Sequence, residues 1–207
     1  MKALLFIHGV PPKDLPKTEG YSVIACTDGA FLYLKEKGFD LDKLNFISGD
    51  FDSHPEIYTS FPNEKIIHTP DQEFTDFEKA LDLLQSKGIE CIDVYGGSGG
   101  EMDHYLGNLT AAFRFKEFME IYFHDEFSTY FFLPKTFEIS GVIGRTISLY
   151  PYPKAHHITT KGLRWALIDE SLDMHSRIGT RNVAVDDKVQ VQYTQGDMLV
   201  FIENAKA

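Results

Sequence analysis

Two aspartates one residue apart, Asp50 and Asp52, stand in the stretch Gly49-Asp50-Phe51-Asp52-Ser53. The apolar run ahead of them, residues 44–47, reads as the end of a buried strand. In extended backbone, alternate residues point to one face, so the two carboxylates can converge on one ligand. Gly49 carries no side chain and lets a ligand approach the main chain. Hard cations such as Mg²⁺ take oxygen ligands and are served well by one or two carboxylates plus substrate phosphates. The same residues also suit a solvated turn capped by an Asx or Ser side chain.

Further acids fall at comparable places once the elements around them are drawn. The pattern predicts strands over residues 3–10, 21–27, 45–48, 65–69 and 91–95. Asp28-Gly29-Ala30 opens a helix that runs through Lys37 to Gly38, and Pro55 starts a short one. The clearest helix covers 75–87, where Thr75 and Glu78 have the spacing of a capping box. Phe77, Ala80, Leu81 and Leu84 form its buried stripe. A helix over 103–116, after Gly96-Gly97-Ser98-Gly99-Gly100, is expected to bury Leu106, Leu109 and Phe113. Such alternation predicts an α/β fold, a mostly parallel sheet with helices on both faces. Strands over 120–124 and 128–133 follow, joined at Asp125-Glu126. Beyond Pro134 only short alternations remain, at 146–150, 183–185, 189–193 and 198–202, which predict a small antiparallel β-sandwich. The expected domains are therefore 1–134 and 135–207.

In open α/β sheets, ligands bind outside the carboxyl ends of the strands. Asp28, Asp50, Asp52, Asp71, Asp76 and Asp103 all lie on strand-to-helix connections, so they should open onto one sheet edge. Each alone is an ordinary helix cap. As a set they would repel one another without a cation, which favours a metal–phosphate site. The glycine-rich stretch has neither Rossmann nor P-loop spacing, but it can offer bare N–H groups to a phosphate. Lys79 shares a helix face with Asp76 and can reach a phosphate, or can simply pair within the helix. His104 can donate to a phosphate or nucleoside. No nucleophile triad, zinc spacing or His-Glu-x-x-His motif is present in the sequence.

With 31 acids against 20 bases, the net charge of -11 opposes non-specific binding to nucleic acid or to anionic membranes. A nucleotide bridged by metal is not opposed. The apolar run at residues 3–7 is too short for a signal-peptide core, and no window has the ~18 apolar residues of a membrane span. Cys26 and Cys91 sit in apolar strands and are expected to be reduced. The expectation is a cytoplasmic protein.

In order and spacing, the motifs resemble the thiamine pyrophosphokinase family. They are Asp28-Gly29-Ala30, Gly49 to Ser53, the run from Asp71-Gln72-Glu73-Phe74-Thr75-Asp76 to Leu81, and Gly99-Gly100-Glu101-Met102-Asp103-His104. The second half adds Thr159 to Leu167, including Trp165, and Gly179-Thr180-Arg181-Asn182. The resemblance implies transfer of a diphosphoryl group from ATP to the hydroxyl of thiamine, giving thiamine diphosphate and AMP. It implies Asp50, Asp52 and Asp76 as Mg²⁺ ligands, with Asp52, Asp76 and Asp103 at the chemistry. Asp28 and Asp103 would support metal, nucleotide or the attacking hydroxyl. Gln72, Thr75, Lys79 and His104 would contact nucleotide or phosphate, and Trp165 and Asn182 would receive thiamine. A homodimer with sites at the subunit interface is implied too.

This chain departs from the family pattern at three places. Ala30-Phe31 follow Asp28-Gly29 where Gly-Ala-Asn is usual. Glu101 replaces an arginine two residues before Asp103-His104, and Arg181 replaces a serine before Asn182. Three other readings fit the same residues: diphosphoryl transfer to another hydroxymethyl heterocycle such as a pterin, a non-catalytic nucleotide- or thiamine-sensing module, and a phosphatase or nucleotidyl transferase using Asp50 and Asp52.

Overall fold

A computed structural model describes residues 1–52 and 57–205; Ser53 and Pro55, named above, lie outside the described residues. The chain forms two compact units, Met1–Glu126 and Phe127–Ala207.

The first unit holds strands β1 (Lys2–Phe6), β2 (Val23–Thr27), β3 (Phe46–Gly49), β4 (Ile66–His68), β5 (Cys91–Tyr95) and β6 (Glu120–His124). Its helices are α1 (Asp28–Glu36), α2 (Ile57–Ser60), α3 (Asp76–Ser86) and α4 (Met102–Phe115). The strands lie in the order β4-β3-β2-β1-β5-β6, every pairing parallel. The order reverses between β1 and β5, which is where a parallel sheet opens a crevice for ligands. Alternation along the strands feeds two layers. Leu4, Phe6, Ile24, Cys26 and Ile47 pack on Ala30, Phe31 and Leu34 of α1. On the opposite face Phe123 of β6 meets Phe77 of α3, ring centroids 5.7 Å apart.

Helix α3 forms where the spacing predicts it. The Thr75 hydroxyl accepts the Glu78 N–H at 3.2 Å, and the Glu78 carboxylate accepts the Thr75 N–H at 3.2 Å. Phe77, Ala80, Leu81 and Leu84 are all buried, each of the larger side chains contributing about 1.5–3 kcal/mol. Two expectations are corrected. Strand β1 stops at Phe6 instead of Val10, because the chain turns to lie against the glycine-rich loop; a Cβ on Gly9 would stand 2.3 Å from the Gly96 carbonyl oxygen. Leu106 is 60% exposed, since α4 turns Leu109, Ala111 and Ala112 inward instead, and Phe113 is half-buried.

The second unit is antiparallel throughout. It contains β7 (Ser128–Phe132), β8 (Thr136–Ser140), β9 (Thr146–Lys161), β10 (Glu170–Asp173), β11 (Gly179–Val183), β12 (Lys188–Gln192) and β13 (Gln195–Glu203). One sheet runs β7-β13-β9, with β10 and β11 on β9; the other runs β8-β12-β9. Strand β9 belongs to both, and a left-handed residue, His157 (φ 56°), marks its bend. Only its first five residues were expected as strand, because Pro151, Pro153 and the two histidines conceal the alternation. The strand expected at 183–185 is Gly179–Val183 instead, and β10 was not expected. Strand β7 pairs with β13, so the second unit begins before Pro134.

One buried acid lies away from the acidic sheet edge. Asp93 of β5 accepts hydrogen bonds from Tyr21 Oη (2.5 Å) and pairs with Lys2 Nζ (2.6 Å) and His124 Nε2 (2.9 Å). Burial alone pushes its pKa up, but the bonds from His124, Lys2 and Tyr21 outweigh that and hold it at about 2. A carboxyl depressed in the folded state stabilises the fold above its unfolded pKa, near 3.8, and loses that contribution as the pH falls toward 2. Urea unfolding at a series of pH values should therefore show stability dropping between about pH 4 and pH 2. In Asp93→Asn the drop over that window should be smaller; an equal drop would mean the network is not linked to folding.

Candidate functional site

The segments that follow β1 to β5 line a cavity of 450 Å³ at the carboxyl edge of the sheet. It gathers Asp28, Asp50, Asp76 and Asp103 with Gln72, Thr75, Lys79 and His104. Four acids expected at one edge are thus brought together. Asp52 and Asp71 are not in the lining; both are exposed, Asp71 Oδ1 accepts the Glu73 N–H at 2.8 Å, and the Asp52 carboxylate makes no hydrogen bond or ion pair among the described residues.

The turn after β3 explains the position of Asp52. Phe51 takes φ 58°, so Asp50 and Asp52 are not in extended backbone, and the expected i, i+2 geometry is corrected. The Phe51 ring is buried against the core and packs on Tyr58 at 5.1 Å. Burying that ring outweighs the cost of a left-handed residue, about 1 kcal/mol. The Phe51 N–H then donates to Asp28 Oδ2 at 3.1 Å, while the Asp52 N–H donates to Asp50 Oδ1 at 3.2 Å. Gly49 is required here: a Cβ would stand 2.4 Å from Asp28 Cγ.

Asp28 is the deepest of these acids. Burial raises its pKa first, Asp76 next and Asp50 to a smaller degree, against the N–H groups of Gly29 (2.7 Å) and Phe51. Asp50 is held the other way. Gln72 Nε2 donates to its Oδ2 at 2.8 Å, and this bond, then the Asp52 N–H, lowers its pKa. Lys79 is buried and bonded to the carbonyls of Thr69 (2.7 Å) and Asp71 (3.0 Å), with Asp76 Oδ1 at 2.8 Å. It therefore anchors the β4–α3 loop as well as adding charge. Thr75 is committed to the capping box. Asp103 and His104 stand exposed in the first turn of α4, and His104 Nε2 lies 3.5 Å from Glu101 Oε2.

These residues fit a hard cation with an anion. The donors are carboxylate oxygens. Among the described residues, the buried side-chain polar atoms without a hydrogen-bond partner are Thr27 Oγ1, Ser48 Oγ, Thr69 Oγ1 and Asp76 Oδ1. The ion pair of Asp76 with Lys79 does not have hydrogen-bond direction. The three hydroxyls sit at or just beyond the carboxyl ends of β2, β3 and β4, and Asp76 opens α3; buried polar groups are ordinarily paired. Thr27 also lines the cavity. The sequence reading missed it; the one available signal was its place beside Asp28 at a strand end.

In the second unit, Trp165 is 57% exposed, which removes an ordinary core role for the only tryptophan. Asn182 Nδ2 donates to the Trp165 carbonyl at 2.8 Å, and Asn182 Oδ1 accepts the Trp165 N–H at 3.1 Å. Arg181 (φ 58°) lines a separate cavity of 470 Å³ with Phe201, Tyr150 and Glu203.

Comparison with known families matches residues 17–123 to the model described as "Thiamin pyrophosphokinase, catalytic domain". Residues 135–197 match "Thiamin pyrophosphokinase, vitamin B1 binding domain". The chain belongs to the thiamin pyrophosphokinase family. The acid-lined cavity lies chiefly within the stretch matched to that family's catalytic domain, and Trp165 and Asn182 lie in the other. Thiamine pyrophosphokinase 1 of Oryza sativa subsp. japonica is 32% identical over 166 residues, covering 72% of this chain and 62% of that protein. Thiamine pyrophosphokinase of Bacillus subtilis (strain 168) is 24% identical over 218 residues, covering 97% and 98%. The fold is shared with the Bacillus subtilis thiamine pyrophosphokinase crystal structure (TM-score 0.82, 22% identity, covering 99% and 100%). It is shared equally with thiamin pyrophosphokinase from Candida albicans (TM-score 0.83, 19% identity, covering 99% and 89%).

A hydroxyl buried without a partner costs about 1–3 kcal/mol. Thr27→Val keeps the shape and removes that hydroxyl. The ligand-free variant should melt above the unaltered protein while binding Mg²⁺ and nucleotide more weakly, as read by calorimetry. A lower melting temperature would show that the hydroxyl has a structural partner.

Proposed function

We propose that this protein is an ATP-dependent thiamine diphosphokinase, with Mg²⁺ as its cofactor. The observation that carries this reading is the convergence of Asp28, Asp50, Asp76 and Asp103 on one cavity of the unit matched by the family's catalytic model. Asp50 and Asp76, both in the cavity lining, would hold the metal, and Asp28 adds buried negative charge behind it; the exposed Asp52 stands outside that set. When bound, Mg²⁺ neutralises the triphosphate and polarises its oxygens.

Phosphoryl-type transfer depends on in-line positioning and charge neutralisation more than on covalent help. Gln72 fixes Asp50, and Lys79 holds the loop that carries Gln72, Thr75 and Asp76. The thiamine hydroxyl oxygen attacks the β-phosphorus of ATP as the bond to the α,β-bridging oxygen breaks, and AMP departs with that oxygen. Asp103, at the cavity rim, takes the hydroxyl proton on its carboxylate. His104 donates to nucleotide or phosphate. The first unit supplies the nucleotide and metal site, and the second supplies thiamine binding and dimer contacts. Trp165 offers an aromatic face to the cationic thiazolium ring. The active enzyme is a homodimer with its sites at the subunit interface. It works in the cytoplasm, a reading that accords with two free cysteines and with the lack, among the described residues, of a helix long and apolar enough to cross a membrane.

The test is product analysis with ATP, Mg²⁺ and thiamine. AMP and thiamine diphosphate should appear in equal amounts. Asp50→Ala and Asp76→Ala should each lower kcat/KM at least about a hundredfold with the fold intact by circular dichroism. AMP formed with a pterin alcohol and none with thiamine would overturn the choice of acceptor.

A further inference from the structure

Trp165 sits in the connection between β9 and β10, and this connection is tied down on both sides. Leu163 and Leu167 are buried, so the indole between them points outward. The Arg164 N–H donates to the Val183 carbonyl at 2.9 Å, and Thr160 and Leu167 exchange bonds at 2.9 Å through N–H, carbonyl and the Thr160 hydroxyl. The half-buried Asn182 adds the closest restraint. Its amide binds the N–H and the carbonyl of the same residue, Trp165, and so fixes the peptide groups on both sides of that Cα. Asn182 Oδ1 also accepts the Val183 N–H at 2.9 Å. Both lone pairs of the oxygen are then used, and a single N–H remains.

An amide occupied in this way cannot also serve as the acceptor that recognises a substrate. We propose that Asn182 is a positioning residue: it presents the Trp165 indole as a preformed platform for a flat cationic ring and acts on the substrate only through Trp165. This rests on the thiamine diphosphokinase reading. The indole already has a cation near it, the Arg164 guanidinium carbon at 5.7 Å from the ring centroid, which marks the face as one that accepts positive charge. Fixing the peptide in advance removes the entropy that ordering the ring would otherwise cost on binding.

A double-mutant cycle separates positioning from contact, with thiamine KM as the readout. Trp165→Leu and Asn182→Ala should each raise thiamine KM roughly tenfold, with kcat and the ATP KM changed less than about twofold. The double variant should be no worse than Trp165→Leu alone, because Asn182 has nothing left to position. Asn182→Asp keeps the acceptor and loses the donor to the Trp165 carbonyl, so it should fall between Asn182→Ala and the unaltered enzyme. Trp165 is the only tryptophan, so its fluorescence reports the platform directly. Asn182→Ala should lower its anisotropy and raise its quenching by acrylamide, with the melting temperature used to confirm folding. Multiplication of the two KM effects, to about a hundredfold in the double variant, would overturn the proposal by showing direct contact. Unchanged anisotropy in Asn182→Ala would overturn it too. If neither substitution moves thiamine KM while AMP and thiamine diphosphate still form, the proposal falls and the reaction stands. An unaltered enzyme that forms no thiamine diphosphate overturns the reaction, and the proposal with it.

Discussion

Negative charge gathered at one edge of a parallel sheet is the constraint on which the first unit depends. Asp28 is buried with Asp76 and Asp50 close enough to raise its pKa further, and among the described residues Lys79 is the one lysine or arginine lining that cavity. Such an arrangement costs free energy in the isolated fold and is tolerated where a ligand returns it. The local structure serves it throughout. Gly49 makes room for the Asp28 carboxylate, the left-handed Phe51 sends its N–H to that carboxylate, and Gln72 and Lys79 restrain the neighbouring acid and loop. The strand order supplies the place, since the crevice opens where the order reverses between β1 and β5.

The second unit answers a different need. A sandwich built around β9, which pairs in both sheets, gives rigid main chain from which a short connection can display one large aromatic side chain. Buried leucines on either side, and the Asn182 amide, hold Trp165 outward at little conformational cost. On the proposed reading, metal and phosphate chemistry fall to one unit and recognition of a flat ring to the other.

Much of this was legible in the sequence, for physical reasons that differ by element. Helix α3 was readable because cap, stripe and closing glycine all agree, Thr75 to Glu78 being the clearest local signal. The common edge of Asp28, Asp50, Asp76 and Asp103 followed from alternation of strand and helix alone. The turn at Phe51 was not legible, because the gain from burying its ring is a tertiary effect that overrides extended geometry. Leu106 misled for a related reason: periodicity gives a stripe but not which of two overlapping stripes faces the sheet, and the small Ala111 and Ala112 fill that position. Strand β9 was concealed by prolines and histidines within it. The roles of Thr27 and Asn182 depend on which hydrogen bonds are made, and no residue type or spacing encodes that.

The measurement that bears most directly on the acidic edge is the melting temperature as a function of Mg²⁺, taken with a non-hydrolysable ATP analogue present. A ligand that binds only the folded state stabilises it by about 2.7 kcal/mol at a hundred times its Kd. The melting temperature should rise and saturate with Mg²⁺, and Asp76→Asn should lose most of that rise. A melting temperature indifferent to Mg²⁺, or a rise as large in Asp76→Asn as in the unaltered protein, would contradict a metal–nucleotide site built on these carboxylates.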